Sequence, residues 1–130
     1  MTIGVIGSGS WGSALVKILT DNEHQVVWCV RSEKLAEHIR TRHHNPKYLS
    51  SVYFDNTLLS ITTDPATVYA QAEAVVMAVP SAYAEDYIEP YLQQIIKGIT
   101  IVSAVKGMLP SKNMLLNERL AMVPGFDLNN

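Results

Sequence analysis

The 130-residue chain holds a single cysteine, Cys29, so no disulfide can form within it. Cys29 lies in the apolar run "VVWCV", where a thiol behaves as a small buried hydrophobe, and a reducing compartment is the natural reading. An excess of one charge is also lacking. Ten Lys and Arg stand against 12 Asp and Glu, a formal net charge of −2, and the basic clusters are broken by acids. That balance excludes the electrostatic footprint of a nucleic-acid binder or of a protein drawn to anionic membranes, and favours a small soluble ligand. No apolar stretch approaches the roughly 18 residues that span a bilayer, and the opening "MTIGVIG" has neither a basic n-region nor a cleavage site. Cytoplasmic residence is the resulting expectation. Internal repeats, low-complexity segments and interdomain linkers are missing too. With 48% hydrophobic residues, the chain suits one domain, residues 1–130, with a core of its own.

The apolar residues come in short blocks. "TIGVIG" (2–7), "HQVVWCV" (24–30), "LLSIT" (58–62), "EAVVMAVP" (73–80) and "TIVSAV" (100–105) read as strands: short, rich in β-branched residues and flanked by turn formers. Between them run helical patterns. Residues 10–22 place Leu15, Ile18 and Leu19 on one face, and residues 32–42 begin at Ser32, a good N-cap, and carry a Leu35, Ala36, Ile39 stripe. Asp64 followed by Pro65 starts a helix over "ATVYAQA"; further helices are expected over 81–96 and over "KNMLLNERLA". Residues 43–57 lack periodicity and carry turn signals, so they read mostly as loop. Strands that alternate with helices, and that are apolar on both faces, imply a doubly wound α/β fold with a mainly parallel sheet between two layers of helices.

Glycine is scarce in the helical segments except at Gly7, Gly9 and Gly12, a G-x-G-x-x-G spacing after the first strand and at the start of the first helix. In a dinucleotide-binding βαβ unit the first glycine permits the tight turn. The second lets the backbone approach the pyrophosphate, and the third lets helix and strand pack closely while the helix N-terminus faces the anion. The alternative is a merely structural turn. Ser10 is a candidate for a phosphate oxygen or for an N-cap; Trp11 either closes over the cofactor or joins the core. At the end of the second strand an acid would accept from the ribose 2′-OH of NAD, yet "CVRSEK" puts Arg31 there, with Glu33 the nearest acid. Arg31 suits the 2′-phosphate of NADP or the face of adenine, or is a solvated strand-end residue, so the expected cofactor is NAD(H) or NADP(H).

Four stretches, "GSGSWGSAL" (7–15), "HHNPKYL" (43–49), "VVMAVPS" (75–81) and "VSAVKGM" (102–108), make the chain resemble the bacterial-type NAD(P)-dependent glycerol-3-phosphate dehydrogenases over nearly all of its length. The resemblance implies an N-terminal Rossmann domain followed by an all-helical domain, and interconversion of dihydroxyacetone phosphate and glycerol 3-phosphate for glycerophospholipid synthesis. It implies that Ser10, Trp11 and Arg31 contact the cofactor, and with Gly7, Gly9 and Gly12 of the motif, Tyr48 of the matching loop and Pro80 at the end of the fourth strand they make up the expected cofactor site. It also implies that Lys106 touches both cofactor and substrate, with Asn45 and Tyr48 in a loop at the mouth of the site. Pro80 and Ser81 end the fourth strand, where backbone can meet the nicotinamide ribose or simply stop the strand and cap the next helix. The family pattern continues into a helical domain that carries the general acid/base lysine, so no catalytic acid or base is expected among these 130 residues. Alternatives are another Rossmann dehydrogenase with a helical second domain, or a non-catalytic NAD(H)-sensing module. Adjacent His43 and His44 point different ways and no metal is expected there. Met114, Leu115 and Leu120 are expected to be partly exposed or to serve a homodimer.

Overall fold

The computed structural model describes residues 1–130. Five strands, β1 (Thr2–Ile6), β2 (Gln25–Cys29), β3 (Leu59–Thr62), β4 (Ala74–Met77) and β5 (Thr100–Ser103), pair in parallel in the order β3-β2-β1-β4-β5. Ile3 stands opposite Val26 on one side and Ala74 on the other, which fixes β1 as the central strand. Because side chains alternate along a strand, Val5 and Ile6 serve opposite faces, and so do Trp28 and Cys29. One face carries Val5, Val26, Trp28 and Val30 into a cluster with Val16, Ala36, Ile39 and Phe54; the other carries Ile6, Val27, Cys29, Val75 and Met77 against Val68, Tyr69, Ala84, Ile88 and Ile95. The apolar runs of β1, β2 and β4 are covered on both faces, as a central parallel strand requires, whereas the edge strand β5 is mostly exposed, with Val102 at 47%.

The helices are α1 (Ser10–Asp21), α2 (Glu33–Arg42), α3 (Pro65–Gln71), α4 (Ser81–Ala84), α5 (Leu92–Ile95) and α6 (Leu116–Ala121). Ser32 caps α2 by accepting from the Leu35 N–H, and Asp64 caps α3 by accepting from Ala66, with Pro65 in the first turn. Ala36 and Ile39 form the buried stripe of α2. Gly4 lets α3 lie close on β1: a Cβ there would fall 2.3 Å from Val68 Cγ1.

Four expectations are corrected. The buried face of α1 is Gly12, Ser13, Val16 and Thr20, while Ile18 is 54% exposed, because the helix rests on its small residues so that its N-terminus can approach the sheet. The single helix over 81–96 is broken into α4, two 3₁₀ turns (Glu85–Tyr87 and Glu89–Tyr91) and α5, since Pro90 has no N–H to continue the ladder. The last helix starts at Leu116 rather than 112, the preceding residues being held in turns and in a bridge between Leu109 and Met114. Leu120 is buried at 3% in the larger cluster, whereas Leu115 is exposed and Met114 half-buried.

Candidate functional site

The strand order reverses direction between β1 and β4, and in open α/β sheets a crevice opens beyond the carboxyl ends of strands at such a point. Here a cleft of about 500 Å³ lies there, floored by Gly7–Gly9 after β1, Cys29 and Arg31 at the end of β2, and Ala78–Pro80 after β4. The 43–57 loop closes one side with Asn45, Pro46, Lys47 and Tyr48, and α2 adds Lys34 and His38. The volume suits a small-molecule ligand. Three cationic side chains, Arg31, Lys34 and Lys47, line the cleft, and no carboxylate does. The field inside therefore favours an anion.

Each glycine of the motif has a different reason to be there. Gly7 has φ +131°, and a Cβ on it would meet the Ala78 carbonyl oxygen at 2.2 Å; a Cβ on Gly12 would meet the Gly7 carbonyl oxygen at 2.2 Å. Both are required by the fold itself. Gly9 is not: its φ is −77°, and a Cβ would meet nothing within 4 Å. The space in front of it belongs to the cleft, which is where a pyrophosphate needs bare backbone.

Both carbonyls of the glycine turn at Gly7 and Ser8, and the Gly7 N–H, are already used. The Gly7 N–H donates to the Cys29 carbonyl at 3.2 Å, and the Gly7 carbonyl accepts from buried Trp28 Nε1 at 2.8 Å. The Ser8 carbonyl accepts from Asn45 Nδ2 at 3.0 Å, and the same amide donates to Ser13 Oγ at 3.1 Å. Asn45 Oδ1 in turn accepts from the N–H groups of Lys47 and Tyr48. Asn45 is 1% exposed and ties the mouth loop to the glycine turn. By contrast with α2 and α3, α1 has no side-chain cap, and no acid sits in its first turn. Its first N–H groups, beginning at Ser10, are the uncommitted donors at a positive helix end.

The other candidates fall as follows. Tyr48, Pro80 and Arg31 line the cleft with Gly7 and Gly9. Ser10 is the first residue of α1 and exposed; Gly9 takes the capping position, so Ser10 is not an N-cap. Trp11 is 54% exposed, which rules out the core, and its side chain lies outside the cleft wall. Ser81 opens α4 without a capping bond, and Pro80 precedes it. Lys106 is exposed, three residues past β5, and does not line the cleft; its neighbour Gly107, at φ +85°, is near enough to Ser81 that a Cβ would lie 3.8 Å from Ser81 Oγ. His43 Nδ1 faces the Phe54 carbonyl and its ring stacks on Tyr53, while His44 turns to the Arg42 carbonyl, so the two adjacent rings do diverge.

Glu33, the acid nearest the end of β2, is held by Arg40 Nη1 at 2.8 Å and by Thr63, and the guanidinium keeps its carboxyl below the ordinary value. It stands outside the cleft wall. Cys29 does line the cleft, but burial, reinforced by the Asp64 charge, pushes its thiol up to about 12, so it stays neutral and unreactive. Trp28 and Asn45 are the site-building residues that periodicity did not reveal as such. Only the polar tip of each, set in an apolar strand or a loop, hinted at a buried partner.

Comparison with known proteins agrees with this geometry. Residues 2–125 match the family model described as NAD-dependent glycerol-3-phosphate dehydrogenase N-terminus. A glycerol-3-phosphate dehydrogenase [NAD(P)+] of Corynebacterium aurimucosum is 35% identical over 123 residues, covering 95% of this chain and 37% of the relative. One from Lysinibacillus sphaericus is 37% identical over 118 residues, covering 90% of this chain and 34% of the relative. The chain thus spans little more than a third of the length of these relatives. A crystal structure of glycerol-3-phosphate dehydrogenase from Coxiella burnetii shares the fold, with a TM-score of 0.84 over 95% of this chain and 38% of that one, at 24% identity. With a family model matching almost its whole length, this chain belongs to the NAD-dependent glycerol-3-phosphate dehydrogenase N-terminal family.

Proposed function

We propose that the chain is the dinucleotide-binding domain of a longer, two-domain NAD(P)-dependent glycerol-3-phosphate dehydrogenase, which interconverts dihydroxyacetone phosphate and glycerol 3-phosphate. The observation that carries this reading is Gly9: a glycine with no internal need to be one, at the uncapped N-terminus of a 12-residue helix, facing a cleft lined by cations. The pyrophosphate lies against that backbone, where the first N–H groups of α1 hold it, and Gly7 and Gly12 keep the turn tight. The bound nicotinamide supplies the hydride chemistry; these residues bind and orient it. Pro80, Tyr48 and the walls they form keep water off the ring end, and Lys106, three residues past β5 at the carboxyl end of the sheet, holds a substrate phosphate or polarises its ketone. The proton donor for the alkoxide belongs to the helical part of such an enzyme. In that setting the product feeds glycerophospholipid synthesis in the cytoplasm, and the enzyme works as a homodimer.

The end of the cleft at β2 refines the cofactor. Arg31 and Lys34 face it while Glu33 is held away by Arg40, so the 2′-phosphate of NADP(H) finds cations where NAD(H) would want a carboxylate. Titration of the chain with NADPH and NADH tests both levels of the reading. Saturable binding with NADPH the tighter is the expected result. Arg31→Ala then loses about tenfold or more for NADPH, the value of one charge-assisted contact, and far less for NADH. An equal loss for both would mean that Arg31 stacks on adenine instead, and a folded chain that binds neither would overturn the dinucleotide reading. Reduction of dihydroxyacetone phosphate by the full-length enzyme tests the substrate.

A further inference from the structure

His44, whose sequence neighbour His43 turns away, meets a different histidine. Its Nε2 lies 3.3 Å from His38 Nε2, with ring centroids 4.9 Å apart and planes at 88°. His38 belongs to α2, which ends at Arg42; His43 then takes a left-handed φ of +60°, and that reversal folds His44 back over the last turns of the helix. The second ring nitrogen settles the proton inventory. His44 Nδ1 is 3.1 Å from the Arg42 carbonyl, an acceptor only, so His44 carries its proton on Nδ1 and presents a lone pair on Nε2. His38 Nε2–H donates to that lone pair.

We infer that His38 and His44 form a two-histidine chelate for a borderline transition-metal dication such as Zn²⁺, at the α2 rim of the cleft. Two nitrogens bound to one tetrahedral zinc at the usual Zn–N length stand about 3.3–3.4 Å apart, which is the separation the two Nε2 atoms already have. The contact from His44 Nδ1–H to the Arg42 carbonyl is the outer-shell bond that metal-ligating histidines ordinarily make, fixing tautomer and ring direction. Binding needs only small turns of two half-buried rings and transfer of the His38 proton from Nε2 to Nδ1. The proton moves from one nitrogen of the His38 ring to the other, and the His44 proton stays on Nδ1, so the step itself releases none.

The rest of the coordination sphere is water. No group of three or more His, Cys, Asp or Glu side chains is placed to hold a metal, so the site is an open one rather than a closed structural one. Its surroundings also set its selectivity. His38 shares the cleft wall with Arg31, Lys34 and Lys47, whose charges oppose a dication. Mg²⁺ and Ca²⁺ bind through charge and oxygen ligands and are rejected. Zn²⁺, Ni²⁺ and Cu²⁺ gain coordinate bonds to imidazole that those hard cations do not.

The test is calorimetric titration of the nucleotide-free chain with Zn²⁺ and, separately, Mg²⁺, with imidazole nitrogen shifts followed by NMR. Expected are saturable Zn²⁺ binding near one equivalent, no Mg²⁺ binding, and movement of the His38 and His44 Nε2 resonances alone among the 4 histidines. His38→Gln and His44→Gln each weaken Zn²⁺ binding about tenfold or more, and His24→Gln leaves it unchanged. No saturable Zn²⁺ binding by the wild-type chain, or shifts centred on His24 or His43, would overturn the site. The shifts are read in the unmutated protein, so a variant that unfolds does not decide the matter. Because no nucleotide is present, the result is independent of the dinucleotide reading.

Discussion

Replacing Gly9 by alanine separates what the fold needs from what the ligand needs. In the folded chain Gly9 has φ −77° and ψ −168°, an extended conformation open to any L-residue, and its added Cβ would touch nothing. Two small effects on stability oppose each other. Alanine is a poorer N-cap than glycine by up to about 1 kcal/mol, and it restricts the unfolded chain, which returns about 0.4–1 kcal/mol. The net change should lie within about 1 kcal/mol of zero. Binding is another matter, because the methyl group occupies the space through which the pyrophosphate reaches the free N–H groups of α1. Loss of one charge-assisted hydrogen bond costs about 1.5–3 kcal/mol, or roughly 10- to 150-fold in Kd. Chemical denaturation and NADPH titration of Gly9→Ala, side by side, read both quantities. Gly12→Ala is the control with the opposite pattern: its Cβ would sit 2.2 Å from the Gly7 carbonyl oxygen, so the helix must move and stability falls by about 1–3 kcal/mol or more. If Gly9→Ala binds NADPH as tightly as the parent chain, the pyrophosphate does not lie against that backbone and the steric argument is wrong.

Asn45→Ala should cost about 2–4 kcal/mol in urea unfolding, because it strands the buried Ser8 carbonyl and Ser13 hydroxyl and frees two loop N–H groups; a loss below 1 kcal/mol would show that water replaces the amide readily. Cys29 makes a pH prediction. Its folded-state pKa, about 12, is raised above the unfolded thiol value near 9, so its contribution to stability is complete below about pH 9 and is lost as pH climbs towards 12. Buried Tyr69, also raised by desolvation, acts in the same direction at higher pH. Cys29→Ala should therefore flatten the alkaline limb of the stability curve between about pH 9 and 12, and iodoacetamide should label native Cys29 far more slowly than the urea-unfolded chain at pH 8. Unchanged alkaline unfolding in Cys29→Ala would place the sensitive group elsewhere.

The central strands β1, β2 and β4 were legible because burial on both faces leaves a run of apolar or β-branched residues that ends in glycine, proline or a polar turn, while the edge strands β3 and β5, with exposed positions at Ser60 and Val102, carry a weaker form of it. Helix starts were legible where a side chain does the capping, at Ser32 and Asp64. The failures share a cause. Leu15 and Ile18 look like the buried face of α1 only if the helix packs by its largest side chains, whereas it packs by Gly12, Ser13 and Val16. Hydrophobicity alone carries no information about how closely two backbones must approach. Between 81 and 96 the helical spacing of apolar residues is real, and Ala84, Ile88 and Ile95 are all buried, yet Pro90 divides the backbone without disturbing that pattern.

For the site, spacing identified the three glycines together but could not tell them apart. Gly7 and Gly12 are each answered by a carbonyl oxygen 2.2 Å from the missing Cβ, and any tight strand–turn–helix would ask the same of them. Gly9 is answered by nothing in the chain, so it alone argues for a ligand. The donors that satisfy the acceptors of the turn in front of α1, and so fix its shape, come from far along the sequence: Trp28 reaches the Gly7 carbonyl across 21 positions, and Asn45 reaches Ser8 and Ser13 across 37 and 32. No local window contains such pairs. Lys106 marks the opposite limit. The resemblance names it as a contact to cofactor and substrate, but within these residues it stands exposed past the end of β5, outside the cleft wall. A lysine in water gains little from a single phosphate, because solvent screens the pair. Its proposed role therefore requires the bound nicotinamide and a second wall of protein to exclude water around it, and Lys106→Ala should leave nucleotide binding by this chain nearly unchanged while raising the KM for dihydroxyacetone phosphate in the full-length enzyme.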